Sequence, residues 1–291
     1  MSRGRALLTC LLLAACAGPR PVPAPHATLL PVPRPDYAAP IAALRVQMAQ
    51  AVPGDISSTP EHAAFWIART QDQLAAAAQR ITRPQLLVAV DRNPSVQQMR
   101  VIFANPDGPW RVIGGGLVST GRAGRYGYFI TPTGVFIHDD SILDYRALGT
   151  YNENHIRGLG AKGSRVWDFG WQSARRGWGA ADTRGEIRLL LHATDPDVLE
   201  PRLGRPDSKG CVRISAAMNA FLDRHAVLDA AYLKDAATNP RIAALLRPNL
   251  DPSPYAGAYL VIFDSSKPPP KAAAAARSAQ TSASSSWAKS R

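Results

Sequence analysis

Hydrophobic and polar positions change rhythm along this chain near Pro84. Upstream, residues 37–52 are Ala-rich and carry Leu44, Val46 and Met48, which predicts a short helix. A longer helix is predicted from Ser58 and Thr59, with Pro60 suited to its first turn and Glu61 completing a capping-box pattern with Ser58. It is expected to run to about Arg80 and to bury Phe65, Ile67 and Leu74. Downstream the period is that of strands, with short β-type runs at 85–90, 99–103, 110–113, 117–119, 135–138, 187–191 and 259–263 between turn residues. This series predicts a mainly β fold, a sandwich with a few helices, preceded by a short helical segment. Helical patterns return at 215–224 and 232–246, and Gly114, Gly115 and Gly116 are expected to mark a bend between strands.

The flanks differ in composition. Residues 1–16 have a basic start (Arg3, Arg5), a short apolar stretch (6–13) and then Leu13-Ala14-Ala15-Cys16, which reads as an export signal. That last segment resembles a bacterial lipobox. The resemblance implies lipid on Cys16 and a membrane tether, whereas an ordinary signal cleaved after an Ala-x-Ala-like site would leave the protein untethered. Residues 17–36 carry seven prolines and are expected to form an extended spacer. Residues 37–83 form the helical segment, 84–264 the β-rich domain, and 265–291 a basic, low-complexity tail expected to be disordered.

The 291 residues are 46% hydrophobic, enough for a substantial core, while 22 Gly and 25 Pro argue against a coiled coil. No apolar run reaches the roughly 18 residues of a spanning helix. The net charge of +12 suggests an anionic partner, but seven of the basic residues lie in the signal and the tail. Residues 16–266 hold 27 basic against 22 acidic side chains, with no basic helix interleaved with aromatics. No nucleic-acid partner is expected.

Gly158-Leu-Gly160-Ala-Lys-Gly163 matches GxGxxG formally, but it lacks a preceding strand and a following helix, so no dinucleotide site is expected. The six histidines lack metal-ligand spacing, there is no CxxC, and neither metal nor cofactor is expected. His138 and His155 are weaker candidates for substrate contact. With Cys10 in the signal and Cys16 at the expected lipid site, Cys211 is left as the mature thiol. An unpaired thiol is unusual in an oxidising compartment, though an inert buried cysteine would also explain it.

Its surroundings suggest chemistry. His192 ends an apolar strand, and the segment Gly204-Arg-Pro-Asp-Ser208-Lys209-Gly210-Cys211-Val-Arg213 follows, just before a helix whose cap is Ser215. A thiol near a helix start and an imidazole has its thiolate favoured, which suits acyl transfer through a thioester. Gly210 permits a tight turn, so the amides around Lys209, Gly210 and Cys211 can converge as an oxyanion hole. Arg213 offers a fork of donors to a substrate carboxylate. A buried cysteine with a distant histidine is the competing reading.

The HxT then SxGCxR pattern resembles the signature of the L,D-transpeptidases, the YkuD-like domain of bacterial cell walls. Val118-Ser-Thr-Gly121 and Thr131-Pro-Thr-Gly134-Val-Phe136 are similar to two further segments of that family, in the same order. The resemblance implies a β sandwich, peptidoglycan stem peptides as substrate, Cys211 as nucleophile and His192 as general base and acid. It also implies that the Ala193 carbonyl orients His192, that Ser208 supports the turn, and that the protein is periplasmic. With Ala17 after Cys16 there is no aspartate retention signal, which by analogy favours the outer membrane. The family's SHGC is here SKGC, with Lys209 in place of histidine. That departure leaves the cross-link type open between the usual linkage and one joining the first residue of a stem to diaminopimelate of another. Hydrolysis and non-catalytic wall binding also stay open. Residues 151–179 occupy the place of the family's capping loop, and Trp167, Trp171 and Trp178 there are either core or stacking surfaces for substrate.

Overall fold

A computed structural model describes residues 36–271 apart from 57, 181 and 182. The expected signal, Cys16, nearly all of the spacer and most of the tail therefore lie outside the described residues. The described residues from Tyr37 onward form one compact unit. Two helices, α1 (Ala38–Ala51) and α2 (Pro60–Ala76), precede β1 (Gln85–Asp91), β2 (Gln98–Ala104) and β3 (Arg111–Leu117). Then come β4 (Phe129–Ile130), β5 (Gly134–Ile137), β6 (Tyr145–Arg146), β7 (Arg165–Arg176), β8 (Arg184–Ala193) and β9 (Val212–Ile214). Three short helices, α3 (Ala216–Arg224), α4 (Ala230–Asp235) and α5 (Pro240–Ala243), lead to β10 (Tyr259–Phe263).

The strands form two mixed sheets, one ordered β3-β2-β1-β10-β5 and the other β4-β7-β8-β9 with β6 on β7. Only β1–β10 and β8–β9 run parallel among the described pairs. Every residue of β1 is buried, because the first sheet is covered on both faces. Leu86, Val88 and Val90 meet Trp167, Phe169, Leu189, Leu191, Val212 and Ile214 of the second sheet, together with Ile41, Leu44 and Met48 of α1. Leu87 and Ala89 face Trp66 and Leu74 of α2. The mainly β sandwich is thus present, and the N-terminal helices are part of its packing. No helix among the described residues is long and apolar enough to cross a membrane.

Several local expectations need correction. The α2 cap is Thr59, whose hydroxyl accepts from the His62 amide, and the buried stripe is Trp66, Arg69, Thr70, Gln73 and Leu74, leaving Phe65 exposed. Arg69 is admitted because its guanidinium donates to the carbonyls of Asp264 and Lys267. The three glycines lie inside β3 rather than at a bend. A Cβ on Gly114 would strike Asp55 and Met48, so that glycine lets α1 and its following turn approach the sheet, while one on Gly115 would stand 2.2 Å from the Met99 carbonyl of the neighbouring β2. Residues 165–176, expected within a loop, form the longest strand.

Candidate active site

The loop that carries Cys211 is tied into the fold by the two upstream motifs. Thr120 accepts the amides of Asp207 and Ser208 on its carbonyl, and the Arg122 amide donates to the Ser208 carbonyl. Ser119 and Arg213 exchange both backbone hydrogen bonds. The buried Thr131 hydroxyl donates to the Gly210 carbonyl at 2.7 Å and accepts the Gly121 amide at 2.8 Å. Gly121 is required by this packing, since a Cβ there would lie 1.9 Å from the Phe129 carbonyl oxygen. Gln97 completes the frame: its amide nitrogen donates to the Thr120 hydroxyl and its carbonyl accepts the Thr120 amide. Gly210 has φ +134, with Ile187 Cδ1 2.9 Å from where a Cβ would stand. The turn at Gly210 thus needs glycine for both conformation and space.

Within the turn, the Ser208 hydroxyl donates to the Cys211 carbonyl at 2.6 Å and accepts the Gly210 amide at 3.0 Å. The Gly210 amide is therefore occupied and unavailable to an oxyanion, which corrects the expectation for that residue. The amides of Lys209 and Cys211 make no hydrogen bond among the described residues. The Lys209 carbonyl accepts from Phe129, while its exposed side chain reaches over the Tyr128 ring.

His192 and the cysteine loop meet because β8 and β9 are parallel neighbours, with Leu191 opposite Val212 and His192 opposite Arg213. Cys211 consequently lies beside Leu190, two residues along β8 from His192. Leu189 and Leu191 enter the core, so Arg188, Leu190 and His192 point to the other face of the sheet. His192 Nδ1 lies 2.6 Å from the Ala193 carbonyl oxygen. A carbonyl can only accept, so Nδ1 carries the proton and Nε2 keeps its lone pair. Burial holds the imidazole's pKa down at about 4, with the Arg213 charge acting in the same direction and the Ala193 carbonyl opposing.

Cys211 is half-buried, and its thiol donates to the Arg188 carbonyl at 3.6 Å. Burial pushes this thiol up, outweighing the Leu190 backbone contact and the Arg213 charge that favour the thiolate. Expectation and structure differ here. The three residues of β9 separate Cys211 from α3, whose Ser215 cap accepts the Met218 amide, so the thiol does not sit at the helix terminus. Burial thus favours the neutral form of both the thiol and the imidazole near neutral pH. Arg213, the register partner of His192, donates to the Asp207 carbonyl at 2.9 Å.

Two tryptophans part company on β7. Trp167 is 0% exposed in the inter-sheet core and its indole donates to Asp229 at 3.2 Å, so it touches no substrate and that expectation is corrected. A register shift between Asp168 and Trp171 turns Trp171 outward, opposite Arg188 and 65% exposed. Trp178 stacks edge-on against Phe129 and tilts on Tyr126. Residues the sequence reading gave no role also face Cys211: the Tyr145 phenol is raised by burial and by the nearby Asp168 and Cys211 groups. Nothing in their spacing could have revealed this, since Tyr145 and Asp168 arrive through β6–β7 pairing.

His138 lies in the core, not in the site. It bonds Asp144 at 2.9 Å and the Leu228 carbonyl at 2.9 Å and stacks on Tyr232. His138, Asp144 and Asp229 could geometrically hold a metal ion. The Arg165 guanidinium already spans the two carboxylates at 2.8 and 3.1 Å, supplying the cation there. His155 is exposed in a turn, bonded through its amide to Asn152.

Within a two-sheet β fold, the parallel β8–β9 pairing brings a tautomer-fixed histidine to the same region as the loop that carries the cysteine. The family model of the L,D-transpeptidase catalytic domain matches residues 85–231, and the chain belongs to that family, whose catalysis serves peptidoglycan metabolism. No curated protein matches the chain.

Proposed function

We propose that this protein is a periplasmic L,D-transpeptidase that cross-links peptidoglycan stem peptides through a thioester on Cys211. The observation that carries the reading is the His192 tautomer: with Nδ1–H given to Ala193, the basic Nε2 belongs to the strand beside the thiol. Rotation about the Cys211 Cα–Cβ bond moves the sulfur from the Arg188 carbonyl to Nε2, which takes the thiol proton. The thiolate attacks the carbonyl joining the L-centre of diaminopimelate to terminal D-alanine. The unpaired amides of Lys209 and Cys211 receive the oxyanion. The imidazolium then protonates the departing D-alanine amine as the C–N bond breaks, leaving the thioester. An acceptor amine attacks, Nε2 takes its proton, and the thiol is reformed as the new amide appears.

A histidine held at about 4 is a base ready at every pH near neutrality, and neutral groups cost less to bury than an ion pair. Lys209 in place of the family's histidine supports a non-standard linkage, joining the first residue of one stem to diaminopimelate of another. Arg213 and Ser208 act as supports of the turn, and Trp171 as a flanking surface for the substrate. Export with lipid on Cys16, and anchoring at the outer membrane, complete the proposal.

The test is mass spectrometry of muropeptides after incubating wild-type protein and Cys211→Ala with disaccharide tetrapeptide. Dimers made only by the wild type are expected, and fragmentation identifies the joined residues. Trimmed monomer alone would mean hydrolysis. No released D-alanine, dimer or trimmed product would overturn the reading, and wall binding unchanged in Cys211→Ala would then favour a non-catalytic role.

A further inference from the structure

Arg188 occupies an unusual position beside the thiol. Its main-chain carbonyl accepts from Cys211, which fixes its Cα close to the sulfur. Its side chain is 47% exposed, and its Nε donates at 2.6 Å to Asp168, whose carboxylate is 1% exposed. The other Asp168 oxygen accepts the Gly170 amide at 2.9 Å. Both Asp168 oxygens are thereby engaged, and the carboxylate holds the guanidinium through Nε. The two terminal amino groups of Arg188 have no protein partner among the described residues.

This arrangement depends on the irregularity in β7. Asp168 lies opposite Leu190 and Trp171 opposite Arg188, so the one extra residue between them in β7 puts both on the face of Arg188 and Leu190. Gly170 makes the bend at φ +72, and a Cβ there would strike Ile142. A half-exposed arginine anchored through Nε presents its terminal fork in a fixed direction, the geometry that binds a carboxylate with two parallel hydrogen bonds. Its long side chain loses less freedom on binding than an unanchored one.

We propose that Arg188, positioned by Asp168, is a specificity-determining residue that binds the carboxylate at the far end of the diaminopimelate side chain of the acyl donor. This rests on the assignment of Cys211 as nucleophile. The attacked carbonyl belongs to diaminopimelate, so its side chain branches one atom from the reacting carbon and spans a distance comparable to the arginine stem. Arg213, bonded to the Asp207 carbonyl, is already part of the turn. Arg188 is held by Nε alone, and its two terminal amino groups have no hydrogen bond or ion pair among the described residues.

The experiment compares D-alanine release from three tetrapeptide stems: with meso-diaminopimelate, with that residue amidated at its far carboxyl, and with lysine in its place. Wild type, Arg188→Gln and Arg188→Lys are each tested on all three. The expected result is that wild type prefers the free-carboxylate stem by about 10- to 100-fold in kcat/KM, and that both variants lose that preference while matching wild type on the other two stems. The ratio between stems is measured on one preparation, so partial unfolding of a variant cancels. Equal losses on all three stems would reduce Arg188 to a structural part and overturn the proposal. A wild type inactive on every stem would overturn the transpeptidase reading together with this one.

Discussion

Replacing Thr131 by valine tests how the upstream motifs support the cysteine loop. Valine keeps the shape of threonine, so no cavity forms, and the change isolates the hydroxyl. That hydroxyl joins two segments by hydrogen bonds of 2.7 and 2.8 Å in a fully buried place. Valine strands the Gly210 carbonyl and the Gly121 amide, and each buried unpaired group costs about 1–3 kcal/mol. A total near 3 kcal/mol is expected, within a range of about 2–6 kcal/mol. Thr131→Ser keeps both bonds and loses one methyl, at about 1 kcal/mol. Urea unfolding followed by tryptophan fluorescence measures both variants. The folded valine protein should also lose up to about 100-fold in kcat/KM, because Gly210 sets the position of the adjacent thiol and small misplacements of a nucleophile are costly. A valine variant within about 0.5 kcal/mol of wild type, or a serine variant as weak as valine, would refute the bridging role.

Two titration predictions follow from burial. With the Cys211 thiol raised from its ordinary value of 9.0, less than about 1% is thiolate at pH 7. Alkylation by iodoacetamide should rise about tenfold per pH unit up to pH 9, and a plateau between pH 5 and 8 would reveal an ion pair and refute the neutral resting state. His192 is lowered from 6.5 to about 4 in the folded protein, so the unfolded chain takes up its proton first as pH falls. Stability is lost between those two values, by about 3 kcal/mol at pH 4. His192→Gln should lose that much less than wild type between pH 7 and pH 4 in urea titrations. Since His138 titrates alike in both proteins, equal losses would show that His192 is not buried neutral.

The hydrophobic pattern by itself determined most of the first sheet. Runs such as Gln85–Asp91, apolar on both faces, can be satisfied only as a strand covered twice, and α2 and the second sheet supply the two covers. The local glycine and threonine motifs were equally visible, because their residue types are required within a few positions of themselves. Their purpose was not, since Thr131 and Gly121 act on a loop about 80 residues away in the chain.

Tertiary structure alone decided β7 and the electrostatics of the site. Residues 151–179 were expected to be the family's capping loop, yet 165–176 form a strand whose buried Arg165 is neutralised by Asp144 and Asp229, which sequence distance conceals. Strict alternation would place Trp167 and Trp171 on one face, and the register shift around Gly170 sends one to the core and the other to solvent. Cys211 precedes a capped helix in sequence, which argues for a thiolate. The interposed β9 and the burial of the sulfur reverse that sign, because desolvation depends on what packs around a group rather than on its neighbours in the chain.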